Sequence, residues 1–408
     1  MKLNFREKGI PKWVKHRLGV LFLIFIGALV FFQIVLNRGE EEKKVTMADA
    51  TLPLVGVKTY DHTMGELHGY RTEMDACYMR DALIPLDSKR KMDLTIDTYG
   101  YDIDRVSYEV RSLDTQRKIA DTKINDWSKD GNTWTKSLQI ENLVDEGEEY
   151  LFILKLHCGS GNLYYYTRIT LPEETYAKKC LEFTDQFHDV SMSDQYETLA
   201  SYLEPSEYTD KNDLGSVGID SSIDQVGWRG FNGTQVGKPL VSFTDINDTY
   251  ASLVYTYQME EQNDGVSTYY NVEEYYKVRY TDLQIYLLDY KRTMEQIVDV
   301  AAVGVSGNKL GVGITNGDIE YLSNETGTIV SFVQAGELFT YNQNKQTFTK
   351  VFGFVDDPTD VRQNYGQHNI RILNIDETGN MDFVVYGYMN RGEHEGESGI
   401  NLYHYDSI

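Results

Sequence analysis

The sequence predicts a mainly β protein hung from a single N-terminal membrane helix. Three observations carry this reading. Leu18 to Leu36 (LGVLFLIFIGALVFFQIVL) holds Gln33 as its only polar side chain. Beyond it, Tyr is unusually frequent at 31 of 408 residues, and with Val, Ile, Thr and Phe it moves the composition towards strands. Short alternating runs separated by turn residues then recur along most of the remaining chain.

Residues 1–17 carry Lys2, Arg6, Lys8, Lys12, Lys15 and Arg17 against Glu7 alone, and a basic flank of this kind stays cytoplasmic. At 1.5 Å per helical residue, residues 18–36 make a helix about 28 Å long, close to the hydrocarbon thickness of a bilayer. The expected topology is a cytoplasmic tail (1–17), a transmembrane helix (18–36) and an extracytoplasmic remainder at the cell membrane. A cleaved signal peptide is the alternative. It fits less well, because signal h-regions run to about 15 residues and end at a small-residue site, whereas Ala48-Asp49-Ala50 lies far downstream. The tail is too short for a kinase or DNA-binding domain, so any signal must pass through a partner.

Net charge is −24, and residues 1–36 hold a net +5, which leaves −29 on the rest. So acidic a body repels nucleic acid and anionic surfaces unless divalent cations bridge them. The plainer role of the charge is solubility. Cys77, Cys158 and Cys180 are too few for a disulfide scaffold and can form at most one bridge, and without a C-x-x-C they support neither thiol redox chemistry nor a cysteine zinc site.

Residues 37–59 read as a spacer, charged at first and then small and polar. Residues 60–171 read as an antiparallel β-sandwich of immunoglobulin or fibronectin size, without a Cys-Trp-Cys core pattern. The expected strands are Met92–Tyr99, Arg105–Leu113, Lys118–Ile124, Thr133–Ile140, Tyr150–Leu156 and Leu163–Leu171, with turns at Tyr99-Gly100, Asp130-Gly131-Asn132, Glu146-Gly147 and Gly159–Asn162. Pro172 ends the pattern, and residues 172–223 read as a short helical connector and loop. Glu173-Glu174 suits a first helical turn, Tyr176, Cys180, Leu181, Phe183 and Phe187 form an apolar stripe, and Ser193 is a candidate N-cap for a second piece ending before Pro205.

From residue 224 to 408 the strand signal returns with an internal repeat. Gln284–Asp289, Glu337–Asn342 and Asn401–Asp406 each read as an alternating strand ending in an Asp/Asn turn, and the first two are followed by a second strand. Gly307-Asn308 and Gly379-Asn380 supply further hairpin turns, so each repeat is a four-stranded unit. Ile370 to Tyr388 (IRILNIDETGNMDFVVYGY) resembles the inner hairpin of a blade in bacterial, membrane-anchored β-propeller-type proteins, in which a D-x-x-G turn joins two strands. The resemblance is at blade level, covers about residues 225–408, and implies propeller-like repeated units at a bacterial envelope. A propeller needs at least four blades and the third copy stops after one strand. A fragment of a longer protein is therefore expected, with completion by earlier segments such as Lys238–Gln258, or an open sheet assembly, as alternatives.

No motif specifies chemistry. Asp376 to Asp382 places oxygens at positions 1, 3, 5 and 7 of a calcium-like loop but has Met381 where an EF-hand needs Gly, and a hairpin turn explains it better. Asp356-Asp357-Pro358-Thr359-Asp360 reads as a solvated turn. His394-Glu395-Gly396-Glu397 lacks the second histidine of a zinc protease, and the pairs His62/His68 and His394/His404 match no zinc spacing. Trp228, Phe231 and Tyr269-Tyr270 are able to stack on sugars, although strand core accounts for Trp228-Arg229-Gly230-Phe231. The sequons at Asn232, Asn247 and Asn324 carry little meaning if the source is bacterial, as the anchor and the propeller resemblance imply. The expectation is a non-catalytic binding, scaffold or regulatory module with a protein or glycan partner, no cofactor, no metal and no nucleic acid. An anchored glycan- or peptide-processing enzyme and a ligand-sensing input module are the alternatives.

Overall fold

The computed structural model describes residues 47–407 except 80–81, 141–143, 160, 208–212, 264, 307–308 and 316–318, together with 17, 21–22 and 25–28. Residues 17, 21–22 and 25–28 are helical, and the rest of the expected 18–36 span lies outside the described residues. Among the described residues no helix is long and apolar enough to cross a membrane. Met1–Met47 and Ala48–Ile408 are separate units, and all that follows concerns the second.

The chain is mainly β, as its composition predicts. The first strands are β1 (Leu54–Thr59), β2 (His62–Leu67), β3 (Leu83–Pro85), β4 (Lys91–Asp97), β5 (Arg105–Ser112), β6 (Lys118–Ile124), β7 (Ser128–Asp130), β8 (Thr133–Gln139), β9 (Glu149–Cys158) and β10 (Gly161–Thr170). The α-helix α1 (Glu174–Ser191), a 3-10 turn (Tyr196–Tyr202), β11 (Ser216–Gly218) and the one-turn helix α2 (Ile223–Val226) lead into β12 (Thr234–Ile246), β13 (Ala251–Asn263), β14 (Val266–Tyr280) and β15 (Ile285–Gln296). The remainder comprises β16 (Gly304–Ser306), β17 (Lys309–Gly311), β18 (Tyr321–Ser323), β19 (Ile329–Gln334), β20 (Glu337–Asn342), β21 (Thr347–Phe352), β22 (His368–Ile375), β23 (Met381–Tyr388) and β24 (Ser398–Tyr405).

Two large sheets share one apolar core. The smaller has the order β2-β1-β4-β8-β7, and the larger runs ten strands, β11-β15-β14-β13-β12-β3-β10-β9-β5-β6. Alternation in β4, with Met92, Leu94 and Ile96 buried, meets Tyr108, Phe152, Leu154 and Tyr165 of the larger sheet in that core. The sheet continues past residue 171, because β3 pairs in parallel with β10 on one side and meets β12 through Leu83↔Phe243 on the other. β1 falls inside the stretch expected to be a spacer. Its turn into β2 uses Tyr60 and Asp61 at φ 50° and 65°, a hairpin conformation ordinarily signalled by Asn-Gly or Asp-Gly.

The helical connector is a structural layer. Glu173 caps α1 by accepting from the Thr175 and Tyr176 N–H groups at 3.0 and 2.6 Å. Cys180, Leu181, Phe183 and Phe187 are buried with the sheet residues Tyr276 and Tyr290. Ser193 caps no second helix. It accepts from the Gln195 N–H at 3.1 Å, and the 3-10 turn begins after Gln195 without a side-chain cap.

The expected repeat holds only in part. Glu337–Asn342 and Thr347–Phe352 form the β20–β21 hairpin, and Gly379-Asn380 turns β22 into β23. Gln284–Asp289 is not followed by a turn: β15 runs through Asp289 to Gln296, held straight by its long pairing with β14, which takes up only a register irregularity there. The Gly307-Asn308 turn lies outside the described residues. Sheets β18-β19-β20-β21 and β22-β23-β24 are four- and three-stranded meanders, and no closed propeller or barrel forms among the described residues. The early segment Lys238–Gln258 is spent on β12 and β13 of the large sheet and completes no blade. The last loop is bolted to the start of the unit, where buried Glu395 accepts from Thr51 and Leu52 N–H at 2.6 and 2.9 Å and Tyr388 donates to Gly69 O at 2.9 Å.

Candidate functional site

The most concentrated titratable chemistry lies beneath α1. Register places Glu274 of β14 between Tyr255 of β13 and Arg292 of β15, and both Glu274 and Arg292 are fully buried. His188 of α1 meets Glu274 Oε2 at 2.7 Å through Nδ1 and Gln235 Oε1 at 2.9 Å through Nε2. Oxygen acceptors at both ring nitrogens favour the doubly protonated ring. Burial is the largest single effect and opposes that charge, but the Glu274 carboxylate together with Gln235 and Asp189 raises the His188 pKa overall. Burial likewise opposes the Glu274 charge, and His188 with Arg292 lowers its pKa overall. Tyr276 and Tyr290 donate to the carboxylate at 2.7 and 3.4 Å.

Arg292 closes the other end of the cluster. It donates to the α2 carbonyls of Val226 and Gln225 at 3.0 and 2.7 Å, satisfying the C-terminus of that helix, and lies 3.5 Å over the Trp228 ring. Catalysis requires that a reacting atom reach the acid or base. Here the carboxylate is enclosed by its own partners, so the cluster fixes α1 and α2 to the sheet. A neighbouring pair does the same at the edge of the core. Asp185 of α1 meets His62 Nε2 at 3.0 Å and accepts from Tyr255 at 2.7 Å.

The residues singled out in the sequence do not converge on one site. Asp376 Oδ1 accepts from the N–H groups of Thr378, Gly379 and Asn380 at 2.8, 2.8 and 2.9 Å and from the Thr378 hydroxyl at 2.6 Å, and the hydroxyl bond leads in lowering its pKa to about 2. Asp382 is bonded to His404 at 2.7 Å and Asn374 at 2.9 Å. Asp357 closes a turn on Thr359, and Asp360 chelates Arg362 at 3.1 and 2.9 Å. His68 is buried and stacks 3.6 Å from Tyr365, whereas His62 faces Asp185 and His394 faces Glu397 at 3.0 Å. No group of three or more His, Cys, Asp or Glu among the described residues is placed to hold a metal. No disulfide joins Cys77, Cys158 and Cys180. Trp228 and Phe231 pack on one another and Phe231 on Tyr270, while Tyr269 is half-buried. Asn232 and Asn247 are exposed, but Asn324 is buried and donates to Thr326, Thr328 and Glu377.

An open cleft of about 550 Å³ lies between Asp49–Thr51, Tyr99–Tyr101 and Asp360–Gln363. Its one guanidinium, Arg362, is already committed to Asp360, to Ala50 O at 2.9 Å and to the Tyr99 ring 3.7 Å away.

The unsatisfied surface lies elsewhere, on β22–β24. Register sets Tyr386 opposite Ile400, Val384 opposite Leu402 and Asp382 opposite His404 on one face. Ile400 is 77% and Leu402 70% exposed, beside Tyr386 at 41%. The other face is core, with Met381, Phe383, Val385, Ile370 and Ile372 buried. Sequence reading identified this strand as part of the repeat but missed the surface, since alternation marks two faces without saying which is covered. No protein-family model matches the chain, and no curated protein matches it.

Proposed function

We propose that this protein is a single-pass, N-in envelope protein whose extracytoplasmic body is a non-catalytic binding or scaffold module, with the β22–β24 face as a contact surface. The observation that carries the reading is the exposure of Ile400 and Leu402 on a sheet whose opposite face is closed. Large apolar side chains gathered on one face mark contact surfaces on soluble bodies. Support for the topology comes from the basic tail and apolar stretch at residues 1–36. In this reading the first ten strands are a fibronectin-like sandwich extended by β11–β15 into one body, and β18–β21 is a blade-like unit. The partner is a protein or glycan of the envelope, and nucleic acid is disfavoured by the acidic body.

The test is photo-crosslinking of the full chain in the cells that make it, with the reactive group placed in turn on Ile400, on Lys136 of β8 and on Lys123 of β6. The expected outcome is a saturable adduct with one partner from at least one position. Absence of any adduct, with the chain intact and at the membrane, contradicts the binding reading.

A further inference from the structure

We infer that β24 is a strand-addition site for an extended, cationic segment of another protein. The inference rests on the binding role proposed above and names its surface and partner chemistry. An edge strand presents a row of unpaired N–H and C=O groups, and proteins ordinarily blunt such edges with charges, irregular register or shortness. Every other sheet edge among the described residues is blunted. β7, β11, β16, β17 and β18 are three residues long. β6 carries Lys118, Asp121 and Lys123, and β21 carries Lys350. β2 and β22 have broken registers, and β22 also carries Arg371.

β24 has none of these devices. Ser398–Tyr405 (SGINLYHY) contains no acid, Lys, Arg or Pro, and it pairs with β23 through eight consecutive residues without a shift. Ile400 and Leu402 extend the apolar face to this open edge. An added strand would therefore gain a ladder of main-chain hydrogen bonds together with apolar side-chain contacts on alternate residues.

Charge chooses the occupant. Residues 368–408 hold Asp376, Glu377, Asp382, Glu393, Glu395, Glu397 and Asp406 against Arg371 and Arg391; with buried Glu395 and Arg391 set aside, six acids face one Arg. The whole chain is at −24. A second copy would bring the same acidic rim to the edge and meet like-charge repulsion, whereas a strand alternating apolar residues with Lys or Arg complements it.

The test uses the full chain in detergent and three synthetic nonapeptides: Lys-Val-Thr-Val-Lys-Val-Thr-Val-Lys, the same peptide with Glu for Lys, and the same peptide with its central Lys replaced by Pro. The expected result is saturable binding of the first that slows β24 amide exchange about tenfold or more, with the other two about tenfold weaker. The double variant Ile400→Lys/Leu402→Lys, whose side chains lie outside the core, should lose this binding while keeping its thermal midpoint. The proposal is overturned by no binding of the first peptide, by binding that leaves β24 exchange unchanged, or by equal binding of the acidic peptide. Self-association of the chain that the double variant abolishes also overturns it, in favour of a second copy. Crosslinked adducts that persist in cells in the double variant defeat the β24 site alone, whereas their absence from wild-type chain defeats the binding role itself.

Discussion

The sheet under α1 and the sheet at β22–β24 are built from the same alternating pattern, yet they invert the usual relation between polarity and exposure. Beneath α1, Glu274, His188 and Arg292 are buried, while on β24, Ile400 and Leu402 face solvent. Each buried charge has a partner of complementary chemistry. The exposed apolar residues Ile400 and Leu402 stand opposite Tyr386 and Val384. A cluster rich in ionisable groups is therefore structural where its members satisfy one another, and a plain apolar strand becomes the candidate contact because nothing covers it.

The sharpest way to break this contrast is Glu274→Ala. Removing one member of a buried pair leaves uncompensated charge, which costs about 3–5 kcal/mol, read as a lower denaturation midpoint of the full chain. The double replacement His188→Leu/Glu274→Leu should cost less than the sum of its singles, since both charges leave together. An additive result would mean the two residues are not coupled.

Acid should loosen a different place, the seam around His68. Burial pushes the His68 pKa down to about 3 from 6.5, so the native ring is neutral. Its contribution is complete above pH 6.5 and is lost as pH falls towards 3. His68→Phe keeps an aromatic ring against Tyr365 and should flatten that acid limb. His62 has the opposite sign. Its hydrogen bond to Asp185 leads in raising its pKa above 6.5, so its contribution is complete below that pH and is lost as pH rises through the raised value. His62→Gln should remove this smaller alkaline-side loss. A loss on the same side of the pH scale for both histidines would refute the assigned environments.

Much of the first half is legible in the sequence. β5 and β6 begin where the alternation of Arg105–Leu113 and Lys118–Ile124 puts them, and β4, β8, β9 and β10 lie within a few residues of expectation. β1 and β2 are hidden because their turn uses Tyr60-Asp61 at positive φ without glycine. β3 is hidden because three residues carry no period, although Leu83 and Ile84 join the two halves of the large sheet. The sequence places an Asp turn at position 289, whereas pairing with β14 keeps Asp289 within a strand. The pairing of His188 with Glu274 spans 86 residues, and no local pattern reports a contact made by helix placement and strand register together. The open face of β24 is invisible for the same reason, because coverage is a property of tertiary packing.

Smaller effects sharpen the comparison further. Glu173→Ala removes the double cap of α1 and should cost about 1 kcal/mol, measured by chemical denaturation. Ile400→Ala and Leu402→Ala should each change stability by no more than about 0.5 kcal/mol, as expected of exposed positions away from the core. A loss several times larger would show that the face is packed rather than open.

The central claim is that the α1 cluster is closed and the β24 edge is where the molecule meets its partner. Amide hydrogen exchange of the full chain, compared between purified protein and the cells that make it, tests it most directly. The account predicts that β13–β15 exchange slowly and equally in both, while Ser398–Tyr405 exchange about tenfold or more slowly in the cells than in the purified chain. Equal exchange of β24 in the two settings, with new protection confined to another sheet, would contradict it.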